Sequence, residues 1–212
     1  MENLKAKARS RRKLVEDLHR KSHFEIHEVE LLLKLHQRNA DTPGKSDKPK
    51  IDRQKFADIL YEEFKLTDDV LNDRIFRAFD VDADGYLSEE EWVLGLSTFL
   101  KGSIEEKLKY TFKVYDQNAD GFISREEMFQ FLKNSIITQQ TEEDPDEGIK
   151  ELIEVILKLA DCDHDSKLSL KDYEQTILEE NLLLELLGPC LPLPKYTNKF
   201  LSSIGCDVTP LV

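Results

Sequence analysis

Methionine is nearly missing from this chain: only Met1 and Met128 occur in 212 residues, alongside one tryptophan and eight glycines. No apolar run approaches the ~18 residues of a spanning helix, so none is expected. The N-terminus, MENLKAKARSRRK, lacks the apolar core of a secretory signal. Glu2 stands where N-myristoylation needs glycine, so no membrane anchor is expected. The three cysteines, Cys162, Cys190 and Cys206, form no CxxC and read as reduced thiols of an intracellular protein. Alternating β-branched segments are missing, which argues against a sheet protein. GxSxG, P-loop, Rossmann-glycine and HExxH patterns are missing too, so no enzyme class gains support. Basic charge is in deficit, with 43 acids against 30 Lys and Arg and a net charge of −13, which excludes nucleic-acid binding through a global basic field.

What is present is helical and unevenly charged. Residues 1–22 hold eight Lys or Arg against Glu2, Glu16 and Asp17. This basic N-terminal extension reads as a solvated helix or as an arm that meets an acidic partner. Ser22-x-x-Glu25, Ser88-x-x-Glu91 and Ser103-x-x-Glu106 have the form of capping boxes, and Asp144-Pro145-Asp146-Glu147 is a helix start. His19, His23 and His27 are spaced four apart, but a helix start at Ser22 breaks their shared face. They read as surface histidines rather than zinc ligands.

A repeat organises the rest. DVDADGYLSEEE begins at Asp80, DQNADGFISREE at Asp116 and DCDHDSKLSLKD at Asp161, each flanked by apolar helical segments. The template is the twelve-residue EF-hand calcium loop. It supplies oxygens from positions 1, 3, 5, 7 (through the backbone carbonyl), 9 and 12, and it turns sharply at position 6. The first loop is complete: Asp80, Asp82, Asp84, the Tyr86 carbonyl, Ser88 and Glu91, with Gly85 at the turn. The second is complete as well: Asp116, Asn118, Asp120, the Phe122 carbonyl, Ser124 and Glu127, with Gly121 at the turn. The third, with Asp161, Asp163, Asp165, the Lys167 carbonyl and Asp172, departs twice. Ser166 replaces the glycine at a left-handed position that costs about 1–2 kcal/mol. Asp172 is one methylene shorter than the usual glutamate, which moves the site toward six-coordinate, magnesium-tolerant geometry.

EF-hands come in pairs, so a fourth is expected. Counting back from Asp80 by the 36-residue spacing of the first two loops reaches Gly44. In that register Ile51 takes position 8, Asp52 position 9, Lys55 position 12 and Phe56 the following place. Gly44, Ser46 and Lys48 fill the early ligand places, so this hand should pack but bind no metal. The expected fold is all-α, with two lobes of paired hands: residues 23–100 and 103–187, with Lys101-Gly102 between them. The longer step to the third loop falls near SIITQQTEEDPDEG, which reads as a solvated acidic connector. Leu182–Leu187 reads as an apolar helical run stopped by Gly188-Pro189. The tail, residues 188–212, carries Leu191, Leu193, Phe200, Leu201, Ile204 and Leu211. It is expected to fold back onto the C-terminal lobe and fill part of its groove, the competing reading being a tail that stays disordered or docks onto the partner.

One degenerate hand followed by active hands resembles the neuronal calcium sensor group of EF-hand proteins. The stretches FRAFDVDADGYLSEEEWVLGLSTFL, GSIEEKLKYTF, EEDPDEGIKEL and the tail motif GPCLP are similar to a ciliary branch of that group. The resemblance implies a cytoplasmic protein of the cilium or flagellum axoneme that associates with outer-arm dynein. Microtubule or docking-complex components are further implied partners, and calcium would tune ciliary beating. Three function classes follow: a calcium sensor that regulates a protein partner, a calcium buffer without one, or an enzyme or an enzyme's obligate regulatory subunit, for which no catalytic group outside the loops is found. The scarcity of methionine favours a stiff Phe, Leu and Ile groove with few partners.

Overall fold

The computed structural model describes residues 2–41, 49–135 and 145–205. Gly44, Ser46, Lys48, Cys206, Leu211 and most of the acidic connector lie outside them. The chain divides into two units: residues 1–102 with 192–212, and residues 103–191.

In the first unit, α1 (Glu2–Lys21) and α2 (Ile26–Asn39) precede β1 (Ile51–Asp52). Next come α3 (Arg53–Ile59), running into a π-turn at Leu60–Phe64, and α4 (Asp69–Phe79). Then follow β2 (Tyr86–Leu87) and α5 (Glu89–Leu96), which also runs into a π-turn, at Ser97–Lys101. The strands pair antiparallel with Ile51 opposite Leu87. That is the register expected if Ile51 and Leu87 both hold position 8 of their loops. Asp52 caps α3 by accepting from Lys55 N at 2.8 Å. The predicted caps at Ser88 and Ser103 are formed. The one at Ser22 is not: α2 is capped three residues later, by Glu25 with Glu28 returning to the Glu25 amide. Ser22 instead accepts from Phe24 N in a local turn, so α1 ends at Lys21 and the histidine face is broken as expected.

The core of this unit is aromatic. Phe56, Phe76, Phe79, Phe99, Phe64 and Trp92 are all buried, with Phe56–Phe79 ring centroids 5.0 Å apart and Phe64–Phe99 5.4 Å apart. Two polar atoms in this core find backbone partners. Trp92 Nε1 donates to the Leu32 carbonyl at 3.0 Å. His36 Nε2 lies 3.0 Å from the Leu87 carbonyl, and burial pushes its imidazole pKa down. Helix α1 is docked through its second half, while Lys5–Ser10 remain exposed. Val15 and Leu18 are buried, and two of its cations pair with the first turn of α5. Arg11 meets Glu89 at 2.5 Å and Lys21 meets Glu90 at 2.7 Å. Its basic charge is thus partly paired with the acidic first turn of a helix of its own unit.

In the second unit, α6 (Ile104–Tyr115), β3 (Phe122–Ile123) and α7 (Arg125–Ser135) form one hand. Helix α8 (Pro145–Ala160), β4 (Leu168–Ser169) and α9 (Leu170–Glu179) form the other. Ile123 pairs with Leu168, again position 8 against position 8. The run after α9 is a 3-10 turn, Asn181–Glu185, rather than a continued α-helix. Glu180, extended at φ −141, interrupts the helix before it.

The tail is divided, which corrects the fold-back expectation. Its first residues do enter the C-terminal unit, where Cys190, like Leu187 just before the tail, is fully buried. Tyr115 Oη donates to the Gly188 carbonyl at 2.6 Å, and Glu185 accepts from the Cys190 and Leu191 amides at 2.6 and 2.7 Å. Burial raises the Cys190 thiol pKa well above its usual range, so it stays protonated. The remainder, α10 (Pro194–Ser203), belongs to the first unit. Phe200 is buried there with its ring centroid 5.1 Å from that of Phe64. The ring contact with Phe64 adds to the burial of Phe200.

Truncating Phe200 to Ala should therefore destabilise the first unit, by about 3–5 kcal/mol for a buried Phe→Ala change. Trp92, the chain's only tryptophan, reports that unit in chemical denaturation. An unmoved Trp92 transition would place the tail elsewhere.

Candidate metal centres

Three loops carry the predicted ligands, and each is built from the same local bonds. In the first, Asp80 Oδ1 accepts from Asp84 N at 3.1 Å and Oδ2 from Gly85 N at 2.9 Å. Asp82 Oδ1 accepts from Asp84 N at 3.2 Å, and Asp84 Oδ1 from Tyr86 N at 2.9 Å. Side chains of Asp and Asn close such turns readily. Glu91 is held from both ends. Its Oε1 takes the Val81 and Asp82 amides at 2.9 and 3.2 Å, while Oε2 takes Ser88 N and Oγ at 2.9 and 2.7 Å. Ser88 and Glu91 are also the N-cap and N3 residues of α5, so the closing ligand and the helix cap are one feature.

The second loop repeats this. Asp116 accepts from Asp120 N and Gly121 N at 3.2 and 2.9 Å, and Asp120 from Phe122 N at 2.9 Å. Asn118 Oδ1 accepts from Asp120 N at 2.9 Å, and its amide donates to Asp120 Oδ2 at 2.9 Å. Glu127 spans the loop from Gln117 N at 2.8 Å to Ser124 N at 2.8 Å.

The third loop keeps the front half. Asp161 accepts from Asp165 N and Ser166 N at 3.2 and 2.9 Å, Asp163 from Asp165 N at 3.3 Å, and Asp165 from Lys167 N at 2.9 Å. Its closure is half made. Asp172 Oδ2 takes Ser169 N at 3.0 Å, but no bond reaches the amides of Cys162 or Asp163. The missing methylene is the reason. Ser166 takes the left-handed turn at φ 67, against φ 82 and 87 for Gly85 and Gly121, so it bears the expected strain. One feature had no sequence signal: position 4 is also left-handed, at Ala83, Ala119 and His164 with φ 56, 57 and 61.

These loops gather buried negative charge. Asp80, Glu91, Glu127, Asp161 and Asp172 are buried. The oxygens of Asp80, Asp82 and Asp84 lie within 4.8 Å of one another, as do those of Asp161, Asp163 and Asp165. Burial pushes the Asp80 and Asp116 carboxyl pKa values up, and repulsion from Glu91 and Glu127 adds to it. Backbone amides offset only part of this cost. A hard divalent cation with oxygen ligands offsets the rest, and calcium suits seven oxygens in a flexible loop. The loop around Lys55 presents no such set among the described residues; its closing position holds an ammonium.

A family model described as an EF-hand domain pair matches residues 105–178, and one described as an EF hand matches residues 71–96. The chain is 52% identical to calaxin of Mus musculus over 189 residues, 87% of this chain and 88% of that protein. Against calaxin of Homo sapiens the identity is 50% over 189 residues, 87% and 88% of the two chains. Against calaxin of Danio rerio it is 50% over 187 residues, 85% and 89%. The chain belongs to the calaxin family. A calaxin-family protein is a calcium-binding EF-hand sensor, and this chain's chemistry is ion binding rather than catalysis.

Two substitutions test the loop assignments in this calaxin-family chain. Glu91→Gln removes the charge that closes the first loop, and calcium affinity there should fall at least tenfold, read by Trp92 fluorescence. Asp172→Glu restores the reach to the Cys162 and Asp163 amides, and calorimetry should show a tighter third site. Unchanged binding in either variant would contradict the corresponding ligand.

Proposed function

We propose that this calaxin-family chain binds calcium at the first two loops and, more weakly, at the third, and thereby regulates outer-arm dynein in the cilium or flagellum axoneme. Magnesium competes at the third loop, where the shorter Asp172 favours six-coordinate geometry. The dynein heavy chain is the expected direct partner, and the family resemblance is what supports that choice.

The observation that favours a sensor over a buffer is apolar exposure on α8. Leu152, Val155 and Leu159 fall on one helical face and are 37%, 59% and 59% exposed. A buffer has no use for such a surface, whereas a protein-binding sensor does. A second contact is supported by α1, whose Lys5, Arg9 and Lys13 are exposed on one face beyond the docked Arg11 and Lys21. That face suits an acidic element such as the tails of microtubule or docking-complex components.

Affinity capture from a ciliary extract, with and without calcium, tests the proposal. Calcium-dependent recovery of dynein heavy chain is expected, reduced at least tenfold by Val155→Asp with Leu159→Asp while calcium binding is unchanged. Equal recovery in both calcium states, or none, would return the chain to buffering.

A further inference from the structure

The metal-free hand contributes a cation to its neighbour's calcium loop. Lys50 stands at position 7 of the degenerate loop, one residue before β1. Its backbone is clamped by Asp41: Lys50 N donates to the Asp41 carbonyl at 2.8 Å, and Asp41 N donates to the Lys50 carbonyl at 3.0 Å. Its ammonium pairs with Asp84 Oδ2, and both side chains are partly shielded, 20% and 35% exposed. Asp84 is the position-5 ligand, and its other oxygen is already engaged by Tyr86 N at 2.9 Å. An oxygen that accepts one amide keeps a lone pair for an ion, as the doubly engaged Glu91 does, so Lys50 acts on this ligand by setting a positive charge against its carboxylate.

The second pair of hands supplies a comparison. Lys167 occupies the same loop position as Lys50, but its ammonium lies over the Phe122 ring, 5.4 Å from the centroid. The ligand equivalent to Asp84 is Asp120, and its Oδ2 meets the neutral amide of Asn118 within its own loop. The charge count differs accordingly. The first loop has four ligand carboxylates, Asp80, Asp82, Asp84 and Glu91, and the second has three, Asp116, Asp120 and Glu127. Ligand charge is one of the quantities that tunes EF-hand affinity.

We infer that Lys50 is a built-in competitor for calcium at the first loop, occupying an Asp84 oxygen in the absence of the ion and lowering that loop's affinity. The inference rests on the calcium reading of the loop. Lys50 reduces the first loop's effective charge to that of the second. Calcium must displace the ammonium or bind beside it, and either costs affinity.

The test uses the full chain with Glu127→Gln and Asp172→Asn, so that Trp92 fluorescence reports calcium at the first loop alone. Lys50→Met should tighten binding roughly three- to tenfold, the scale of a partly exposed ion pair together with its repulsion of the ion. Lys50→Arg should stay near the parent affinity. The gap between parent and Lys50→Met should narrow at high salt, because exposed charges are screened within about 8–10 Å. Equal or weaker binding by Lys50→Met, or an Arg variant that behaves like Met, would overturn the inference while leaving the loop a calcium site. A first loop that takes up no calcium in either the parent or the Met variant would overturn both.

Discussion

Mutual repulsion among carboxylates crowded into a short loop is the constraint around which this protein is arranged. Asp80, Asp82 and Asp84 bring oxygens within 4.8 Å of one another, and Glu91 is buried against the same loop. Charges this close repel strongly in a partly desolvated site. The loop answers with amides: those of residues 81, 82, 84, 85 and 86 point at carboxylate oxygens. Left-handed residues at positions 4 and 6 bend the chain enough for those amides to converge. The loops pair through short strands, so each hand's geometry is tied to its neighbour's, including a hand whose closing position is Lys55.

The same bonds connect the loop to the rest of each unit. Ser88 and Glu91 begin α5 as well as closing the loop, so a change at the ion site is a change at a helix N-terminus. Helix α5 carries Trp92 into the aromatic core and presents Glu89 and Glu90 to α1. Ion binding in the first unit is thus in contact with both its core and its basic helix. Leu152, Val155 and Leu159 leave an exposed apolar face on α8 of the second unit.

Much of this was legible in the residues. The three loops announce themselves through ligand spacing, because a calcium ion demands oxygens at fixed places. The fourth hand is legible from spacing as well, and the pairing of Ile51 with Leu87 bears out its register. The third loop's weaknesses were visible as Ser166 and Asp172, and both appear as strain and short reach. What was not legible depends on long-range packing. Glu25 rather than Ser22 caps α2, because a chain that must turn after Lys21 to bury Phe24 delays the helix. The docking of α1 rests on acids some 70 residues away in sequence, Glu89 and Glu90. The tail offered apolar residues enough for burial but no signal for which unit would take them, and Phe200 followed the aromatic cluster. No sequence signal marks Lys50; strand pairing is what sets it beside Asp84.

Calcium binding should relieve the repulsion within the two complete loops. Calorimetric titration of the metal-free full chain measures this directly. Two ions bound in the range of about 10⁻⁷–10⁻⁵ M, with a third bound more weakly, is the predicted result. Absence of binding at either Asp80–Glu91 or Asp116–Glu127, or an ion taken up by the hand that contains Lys55, would contradict it.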